Sequence, residues 1–216
     1  MANFEQFLPL LKKNEGGWQE LKNDTGNYTK GGVLVGTNHG ISTRLYETII
    51  GRPPTKADMK AITWNEAVRI YRKYFWDVMK GDRIKNQSVA EIIIDHGVNA
   101  GVSAATKLLQ RVLNNKFGKS LKIDGSFGEK TLEALHSVNQ EQLHKAYKKA
   151  REDFYKSLGN NEFQKGWLIR ANRFFFSIGE FAGKNKGSIT GVLFVTAIVG
   201  FIVYKQIKKR KPIKIK

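Results

Sequence analysis

Two carboxylic acids near the N-terminus have the residue types and the spacing that cleavage of a glycosidic bond requires. Glu15 is followed by Gly16-Gly17-Trp18, and Asp24 comes nine residues after Glu15 in the turn Asp24-Thr25-Gly26. Glycoside hydrolysis commonly uses one carboxyl group as the acid and a second carboxylate to activate water or to stabilise the transition state. The pair therefore predicts a sugar-cleaving cleft, although a helix end and an ordinary turn would also explain the two acids singly.

Two local elements are expected to hold these acids in place. Apolar residues spaced three and four positions apart predict an opening helix that ends near Glu15; they are Phe4, Phe7, Leu8 and Leu11. From Asn23 to Ile41 five glycines surround the apolar run Val33-Leu34-Val35, which predicts a small β-hairpin. A carboxyl group covered by Trp18 and the hairpin would lose hydration, so we expect the pKa of Glu15 to be raised and the group to act as a general acid. Asp24 is expected to orient water or to stabilise an oxocarbenium-like transition state.

The motifs around these acids are similar to those of a known enzyme family. Glu15-Gly16-Gly17-Trp18, then Asp24, then Thr37-Asn38-His39-Gly40-Ile41 resembles the pattern of the glycoside hydrolase family 108 muramidases, and the order of Glu, Asp and Thr also resembles phage-type lysozymes. Asp95-His96-Gly97-Val98-Asn99-Ala100-Gly101 matches a later segment of the family, so the resemblance covers most of residues 1 to about 180. It implies a lysozyme-like helical domain that hydrolyses the β-1,4 bond between N-acetylmuramic acid and N-acetylglucosamine in peptidoglycan.

The resemblance also implies roles for individual residues. Glu15 would be the catalytic acid, and Asp24 and Thr37 would position water. The chain departs from the family by a longer segment, Asn27 to Val35, which leaves open whether Thr29 or Thr37 takes the threonine position. The residues expected to bind substrate are Trp18, Thr29, His39, Asp95 and Asn99. On spacing alone, the last two belong to a polar helical stripe that a solvent-facing surface would equally explain.

A second helical region begins near Val102. Its amphipathic helix is followed by Asp124-Gly125-Ser126-Phe127-Gly128-Glu129-Lys130-Thr131, which resembles the peptidoglycan-binding module that accompanies the muramidase family. Turn chemistry explains every residue of this stretch, so a packing role is favoured over direct sugar contact. The expected organisation is a lysozyme-like catalytic region at 1–100, a peptidoglycan-binding region packed on it at 101–183, a transmembrane anchor at 187–205 and a basic tail at 206–216.

The anchor is expected because residues 189–204 carry no charge and are followed by a tail rich in Lys and Arg. This pattern is typical of a membrane-spanning helix whose C-terminus lies in the cytoplasm, so the enzyme would act in the periplasm or the cell wall with the membrane as a partner. Trp167 and Phe174-Phe175-Phe176 would lie at the membrane interface. Residues 1–30 contain no apolar signal-peptide core. The predicted fold class is mainly α, a lysozyme-like helical domain with a small β-hairpin plus a C-terminal transmembrane helix.

Charge and composition narrow the function classes. The net charge is +18, and residues 184–216 contribute half of it, with nine Lys or Arg and no acid. Peptidoglycan and its associated polymers are anionic, so a basic protein would concentrate on this substrate. The region around the candidate acids is close to neutral, which argues against a nucleic-acid partner. The absence of cysteine excludes disulfides.

A metal site is not expected. The Glu-x-x-His pairs Glu133/His136 and Glu141/His144 begin eight residues apart, too close to face each other across a helix bundle as the ligands of a di-iron site do. No cofactor is expected either, and the protein is expected to be a monomer.

Three functions are compatible with these residues. The first is hydrolysis by a peptidoglycan muramidase of the endolysin type, which lyses cell walls. The second is a lytic transglycosylase, because the same glutamate can serve as acid and then as base without a water nucleophile. The third is a non-catalytic wall-binding or membrane-active protein, in which Glu15 only ends a helix.

Overall fold

The computed structural model describes residues 1–14, 17–159 and 161–177, except for the side chains of residues 13, 14, 161 and 162. The α-helices of this part of the chain are α1 (Phe4–Asn14), α2 (Thr43–Ile50), α3 (Lys56–Ala61), α4 (Trp64–Tyr71), α5 (Gln87–Ala100), α6 (Val102–Phe117), α7 (Glu129–His136), α8 (Gln140–Ser157) and α9 (Asn161–Asn172). A π-helical turn, Arg72–Trp76, continues α4, and 3-10 turns cover Thr25–Asn27 and Gly81–Arg83.

Helix α5 is the centre of the core. Its apolar residues are buried around most of its circumference, and it packs against both α6 and α8. A helix that is apolar on nearly every face is expected to be buried in this way. The Asn86 side chain caps its first turn by accepting a hydrogen bond from the Val89 N–H at 3.0 Å. At its other end Gly101 has a φ of 90°, which favours glycine and lets α6 start directly after α5.

The predicted opening helix is present as α1. Phe4, Phe7 and Leu11 are buried, as the spacing of three and four residues requires of one helical face. The rings of Phe4 and Phe7 lie 5.4 Å and 5.7 Å from the ring of Trp76, measured between centroids. The helix therefore packs on the π-helical turn, and it precedes the segment that begins at Gly17.

The β-hairpin predicted for the following segment is wrong. The described residues contain no strand, and the segment has only isolated bridges, which pair Gln19 with Thr37, Tyr28 with Leu34, and Asn38 with Ile41. Gly32, Gly36 and Gly40 have φ values of 82°, 90° and 72°, which interrupt an extended backbone. The Asn27 carbonyl also accepts hydrogen bonds from two successive residues, Val35 and Gly36, at 2.9 Å and 3.0 Å. A regular ladder cannot form with these breaks, so residues 17–42 are called the glycine-rich loop below.

The transmembrane element of the predicted fold class is also corrected. Among the described residues, none of the helices combines the length and the hydrophobicity that a membrane span requires. The segment expected to form the anchor, residues 187–205, and the basic tail at 206–216 lie outside the described residues. The structure therefore gives no support to the expected membrane partner or to the localisation that depended on this anchor.

Candidate active site

The glycine-rich loop faces a cleft of about 990 Å³. Residues of this loop, of the C-terminal end of α5 and of α9 line the cleft. Of the eight residues that the sequence suggested for catalysis or binding, four line this cleft: Trp18, Asp24, Thr37 and Asn99. Glu15 lies outside the described residues, but the chain that follows it, Gly17 and Trp18, lines the cleft.

Gln19 links Asp24 and Thr37 within the glycine-rich loop. Its backbone pairs with Thr37 through two hydrogen bonds, from Gln19 N to Thr37 O at 2.9 Å and from Thr37 N to Gln19 O at 2.8 Å. Its side-chain Nε2 donates to Asp24 Oδ2 at 3.1 Å. The other oxygen, Asp24 Oδ1, accepts from the Gly26 N–H at 2.9 Å and caps the 3-10 turn. Gln19 therefore contacts both candidate catalytic residues, Asp24 through its side chain and Thr37 through its backbone.

The structure separates the two candidate threonines. Thr37 lines the cleft with 7% of its surface exposed, and its Oγ1 has no hydrogen-bond partner among the described residues. Thr29 Oγ1 accepts a hydrogen bond from the Val33 N–H at 3.0 Å and closes a turn in the glycine-rich loop. Thr29 does not line the cleft. Of the two candidate threonines, Thr37 therefore lies in the cleft and Thr29 lies outside its lining.

Trp18 lies in the cleft wall because Gly36 leaves room for it. A Cβ atom on Gly36 would lie 2.5 Å from Trp18 Cη2, and the φ of 90° at this residue also disfavours a side chain. The Lys60 ammonium lies 5.1 Å from the Trp18 ring centroid, within the range of a cation–π interaction. The indole is thus held on two sides.

His39 is not among the residues that line the cleft. Its ring centroid lies 5.9 Å from that of Trp64, in an edge-to-face arrangement. Its carbonyl accepts a hydrogen bond from the Tyr71 hydroxyl at 2.8 Å. The described contacts of His39 therefore join the glycine-rich loop to α4, and they do not bring the imidazole together with Asp24.

Asp95 and Asn99 lie at different depths below the cleft. The Asp95 side chain is fully buried and forms ion pairs with Arg151 of α8, at 2.6 Å, and Arg170 of α9, at 2.7 Å. Asn99 lines the cleft, and its Oδ1 accepts a hydrogen bond from the Tyr155 hydroxyl at 2.7 Å. Asp95 can therefore support substrate binding only through the residues that it holds in place.

Two opposing effects set the pKa of the Asp95 carboxyl. Burial alone would raise it, but the guanidinium charges of Arg170 and Arg151 outweigh burial and hold the pKa below its usual value. The carboxylate is therefore ionised at neutral pH, as an ion pair with two arginines requires.

Sequence reasoning did not assign several of the cleft residues to the site, among them Gln19, Phe163, Trp167 and Arg170. Trp167 was expected at a membrane interface, yet it lines the cleft, and Phe174 is buried in the core with 3% of its surface exposed. The spacing i, i+4 and i+7 of the three α9 residues is a signal for one helical face, but it does not say what that face covers.

The turn at Asp124 fits the packing role expected from its sequence. The buried Gln110 side chain donates to Asp124 Oδ1 at 2.9 Å and to the Ser126 carbonyl at 3.2 Å, and it accepts from the Gly125 N–H at 3.0 Å. None of these turn residues lines the cleft. The part of the chain that the structure describes also contains no group of three His, Asp or Glu side chains placed to hold a metal ion.

The regions on either side of the cleft match two protein families. Residues 8–101 match glycosyl hydrolase 108, and residues 104–172 match a domain described as a predicted peptidoglycan domain. The solved structure of Brucella abortus SagA is similar to this chain, with 30% identity and a TM-score of 0.68 over 79% of this chain and 90% of that chain. No curated protein matches the sequence. These matches confirm the resemblance seen in the motifs, and they show that the chain belongs to the glycosyl hydrolase 108 family, as a glycosidase that degrades peptidoglycan.

Proposed function

We propose that the protein is an N-acetylmuramidase that hydrolyses the β-1,4 bond between N-acetylmuramic acid and N-acetylglucosamine. Glu15 is the general acid, and Asp24 and Thr37 hold the attacking water. The observation that carries this proposal is the Thr37 hydroxyl, which is buried in the cleft wall without a partner among the described residues. Glu15 takes its role from the sequence motif, and the cleft-lining position of Gly17 and Trp18 supports that role.

An unpaired buried hydroxyl is costly, by about 1–3 kcal/mol, unless a ligand or water satisfies it. Thr37 Oγ1 can both donate and accept one hydrogen bond to a water molecule in the cleft. Asp24 uses one hydrogen bond on each carboxylate oxygen, and a carboxylate has about four acceptor sites. The remaining sites can accept a proton of the same water.

The proposed chemical steps use these three residues. Glu15 donates its proton to the glycosidic oxygen, and the bond to the anomeric carbon of N-acetylmuramic acid breaks as positive charge develops on the sugar ring. The carboxylate of Asp24 stabilises this charge and accepts a proton from the water that Thr37 orients. The water oxygen then bonds to the anomeric carbon, which leaves a reducing N-acetylmuramic acid end.

The bond specificity is tested by the new chain ends that the enzyme makes. Purified peptidoglycan is digested, the products are reduced with borohydride, and the ends are identified by mass spectrometry. We expect N-acetylmuramitol ends. N-acetylglucosaminitol ends would assign cleavage to the other glycosidic bond, and 1,6-anhydro-muramic ends would assign the transglycosylase reaction, so either result would contradict the proposal.

An endolysin role is part of the same proposal. The basic composition of the chain favours adsorption to anionic cell walls. The purified protein is expected to lower the turbidity of a suspension of bacterial walls at a rate that follows the release of muramic acid ends. Release of these ends without loss of turbidity would contradict a lytic role while leaving the bond specificity intact.

A further inference from the structure

A helix from the region that matches the peptidoglycan domain lines part of the cleft. Phe163, Trp167 and Arg170 of α9 line it from one helical face. Trp18 and Asp24, in the region that matches the hydrolase, line the same cleft. A single cleft is therefore built from both matched regions.

Trp167 forms an aromatic surface of the cleft with Phe163, and the buried Tyr155 packs behind it. The Trp167 ring centroid lies 5.7 Å from that of Tyr155 and 6.1 Å from that of Phe163, and the Phe163 and Trp167 rings are stacked with an angle of 29° between their planes. Trp167 is half-buried, so part of its indole is available to a ligand in the cleft. A flat apolar ring with one N–H donor suits a sugar, which presents C–H groups on its faces and hydroxyl groups at its edge.

The contacts of α9 fix this surface in place. Arg170 Nη2 donates to Asp95 Oδ1 at 2.7 Å, and Arg170 Nε lies 3.0 Å from both oxygens of the same carboxylate. Gln164 Nε2 donates to the carbonyls of Tyr155 and Lys156, at 3.2 Å and 3.3 Å. Groups that are already ordered lose less conformational entropy when a ligand binds. The aromatic surface is thus arranged before a glycan strand arrives.

We propose that α9 is the glycan-binding wall of the catalytic cleft, with Trp167 stacked on a sugar ring of the peptidoglycan strand. The inference rests on the proposed function, since it takes the cleft as the place where the strand is cleaved. The region matched by the peptidoglycan domain then binds the same strand that the hydrolase region cuts, and it does so inside the cleft rather than at a separate surface.

Three substitutions in the full chain test this role. Trp167→Leu keeps an apolar side chain but removes the ring, whereas Trp167→Phe keeps a ring. Phe175→Leu is the matched control, because Phe175 is 77% exposed and does not line the cleft. The measurements are kcat and KM on soluble, uncross-linked peptidoglycan strands, sedimentation with purified sacculi, and thermal unfolding as a check of the fold.

Trp167→Leu is expected to raise KM about 10-fold, which corresponds to about 1.4 kcal/mol, and to weaken sedimentation with sacculi. We expect kcat to stay within about two-fold, because a contact away from the reacting atoms contributes to binding in the ground state and the transition state alike. Trp167→Phe and Phe175→Leu are expected to stay close to wild type. An unchanged KM in Trp167→Leu would overturn the proposal, and a loss that Trp167→Phe does not rescue would assign Trp167 to packing instead.

A separate wall-binding surface is the main alternative, and α8 offers one. Lys145 and Lys149 are well exposed on this helix, with 71% and 67% of their side chains accessible. If the double charge reversal Lys145→Glu/Lys149→Glu abolished binding to sacculi while Trp167→Leu retained it, the proposal would be overturned. Failure of the proposed function looks different: sacculus binding would still depend on Trp167, but the wild type would release no muramic acid ends.

Discussion

Replacement of Asp95 by Asn should destabilise the protein more than any exposed charge change. Its carboxylate joins three helices, since it lies on α5 and pairs with Arg151 of α8 and Arg170 of α9. The Arg151 and Asp95 side chains are fully buried, and that of Arg170 is 12% exposed. The amide of Asn carries no negative charge, so the substitution leaves the Arg151 guanidinium in the core without the carboxylate that balances it.

The expected cost is about 3–5 kcal/mol, the range measured when one partner of a buried ion pair is removed. Native domains are stable by only about 5–15 kcal/mol, so the change should consume a large share of the total. In the variant, Arg151 still donates hydrogen bonds to two uncharged acceptors, Tyr155 Oη at 3.0 Å and the Ile92 carbonyl at 3.3 Å. These two contacts orient the guanidinium but do not neutralise it.

Urea denaturation at pH 7, followed by circular dichroism, gives the free energy of unfolding of wild type and variant. Asp153→Asn is the control, because Asp153 is an exposed carboxylate on α8 that pairs with Lys149; no measurable shift of the midpoint is expected for it. The pKa of Asp95 is lowered in the folded state, so its contribution is present above the unfolded-state pKa of about 3.9 and is lost as the pH falls through the lower folded-state value. A loss smaller than about 1 kcal/mol, in the range of exposed pairs, would refute the reasoning.

Three further predictions concern the cleft and the core. Thr37→Val should lower kcat by about 100-fold without lowering the unfolding midpoint, because it removes a hydroxyl that has no partner in the described residues. Thr37→Ser should keep most of the activity. Equal kcat values for the Thr37→Val and Thr37→Ser variants would count against a role of this hydroxyl in positioning water. Gly36→Ala should lose activity because the new Cβ displaces Trp18. Gly32→Ala is the control, because Gly32 also has a positive φ, 82°, but a Cβ there would have no atom within 4 Å. A similar loss of activity in both variants would show that backbone strain is the cause. Burial and the nearby Arg151 charge lower the pKa of His96 to about 3, so the free energy of unfolding should fall as the pH drops from about 6.5 towards 3. This residue should contribute at most about 1.4 kcal/mol per pH unit to that fall. His96→Gln should reduce the pH dependence measured in urea titrations, and an unchanged pH dependence would contradict the assignment.

The His96 prediction depends on a hydrogen-bond network that also fixes its tautomer. The Tyr147 hydroxyl donates to the Ala105 carbonyl at 3.1 Å, and it lies 2.8 Å from His96 Nδ1. Since the hydroxyl has one proton, Nδ1 carries the proton of the neutral ring and donates to Tyr147. The other nitrogen, Nε2, has no partner in the described residues, so protonation there would place an unsolvated charge in the core.

Local patterns were sufficient to predict several elements. The spacing of Phe4, Phe7 and Leu11 predicted α1, because apolar residues on one helical face recur every three to four residues. The Asp124 turn was predicted to be structural, and its hydrogen bonds to Gln110 agree with that interpretation. In each of these cases the information lies within one or two turns of the chain.

The hairpin prediction was wrong because backbone angles, rather than the alternation of apolar residues, determine the conformation of this segment. Val35 is buried, as an inward-facing strand residue would be, whereas Val33 is 60% exposed. Positive φ values at Gly32 and Gly36 flank this run and break its extended path. Side-chain amides replace the missing ladder, since Gln19 and Asn27 bond to each other in both directions at 3.1 Å and 2.9 Å.

The contribution of α9 to the cleft could not be predicted, because α9 contacts residues that are distant in the sequence. Arg170 pairs with Asp95 across 75 residues, and no local pattern reveals such a contact. The apolar character of Trp167 and Phe174 predicted a membrane interface, but the same character also suits a cleft wall and a core. Composition therefore identified residues that avoid water without identifying what covers them.

The central claim is that Glu15 is the acid that cleaves the glycan strand, and one comparison tests it most directly. Purified wild type, Glu15→Gln and Glu20→Gln are incubated with peptidoglycan, and the release of reducing ends is measured at equal concentrations of folded protein. Glu20 is a suitable control because it is a nearby acid that pairs with Lys56 and is absent from the cleft lining. The account predicts a loss of about 100-fold or more for Glu15→Gln and a rate close to wild type for Glu20→Gln. A Glu15→Gln protein that cleaves peptidoglycan at the wild-type rate would contradict it.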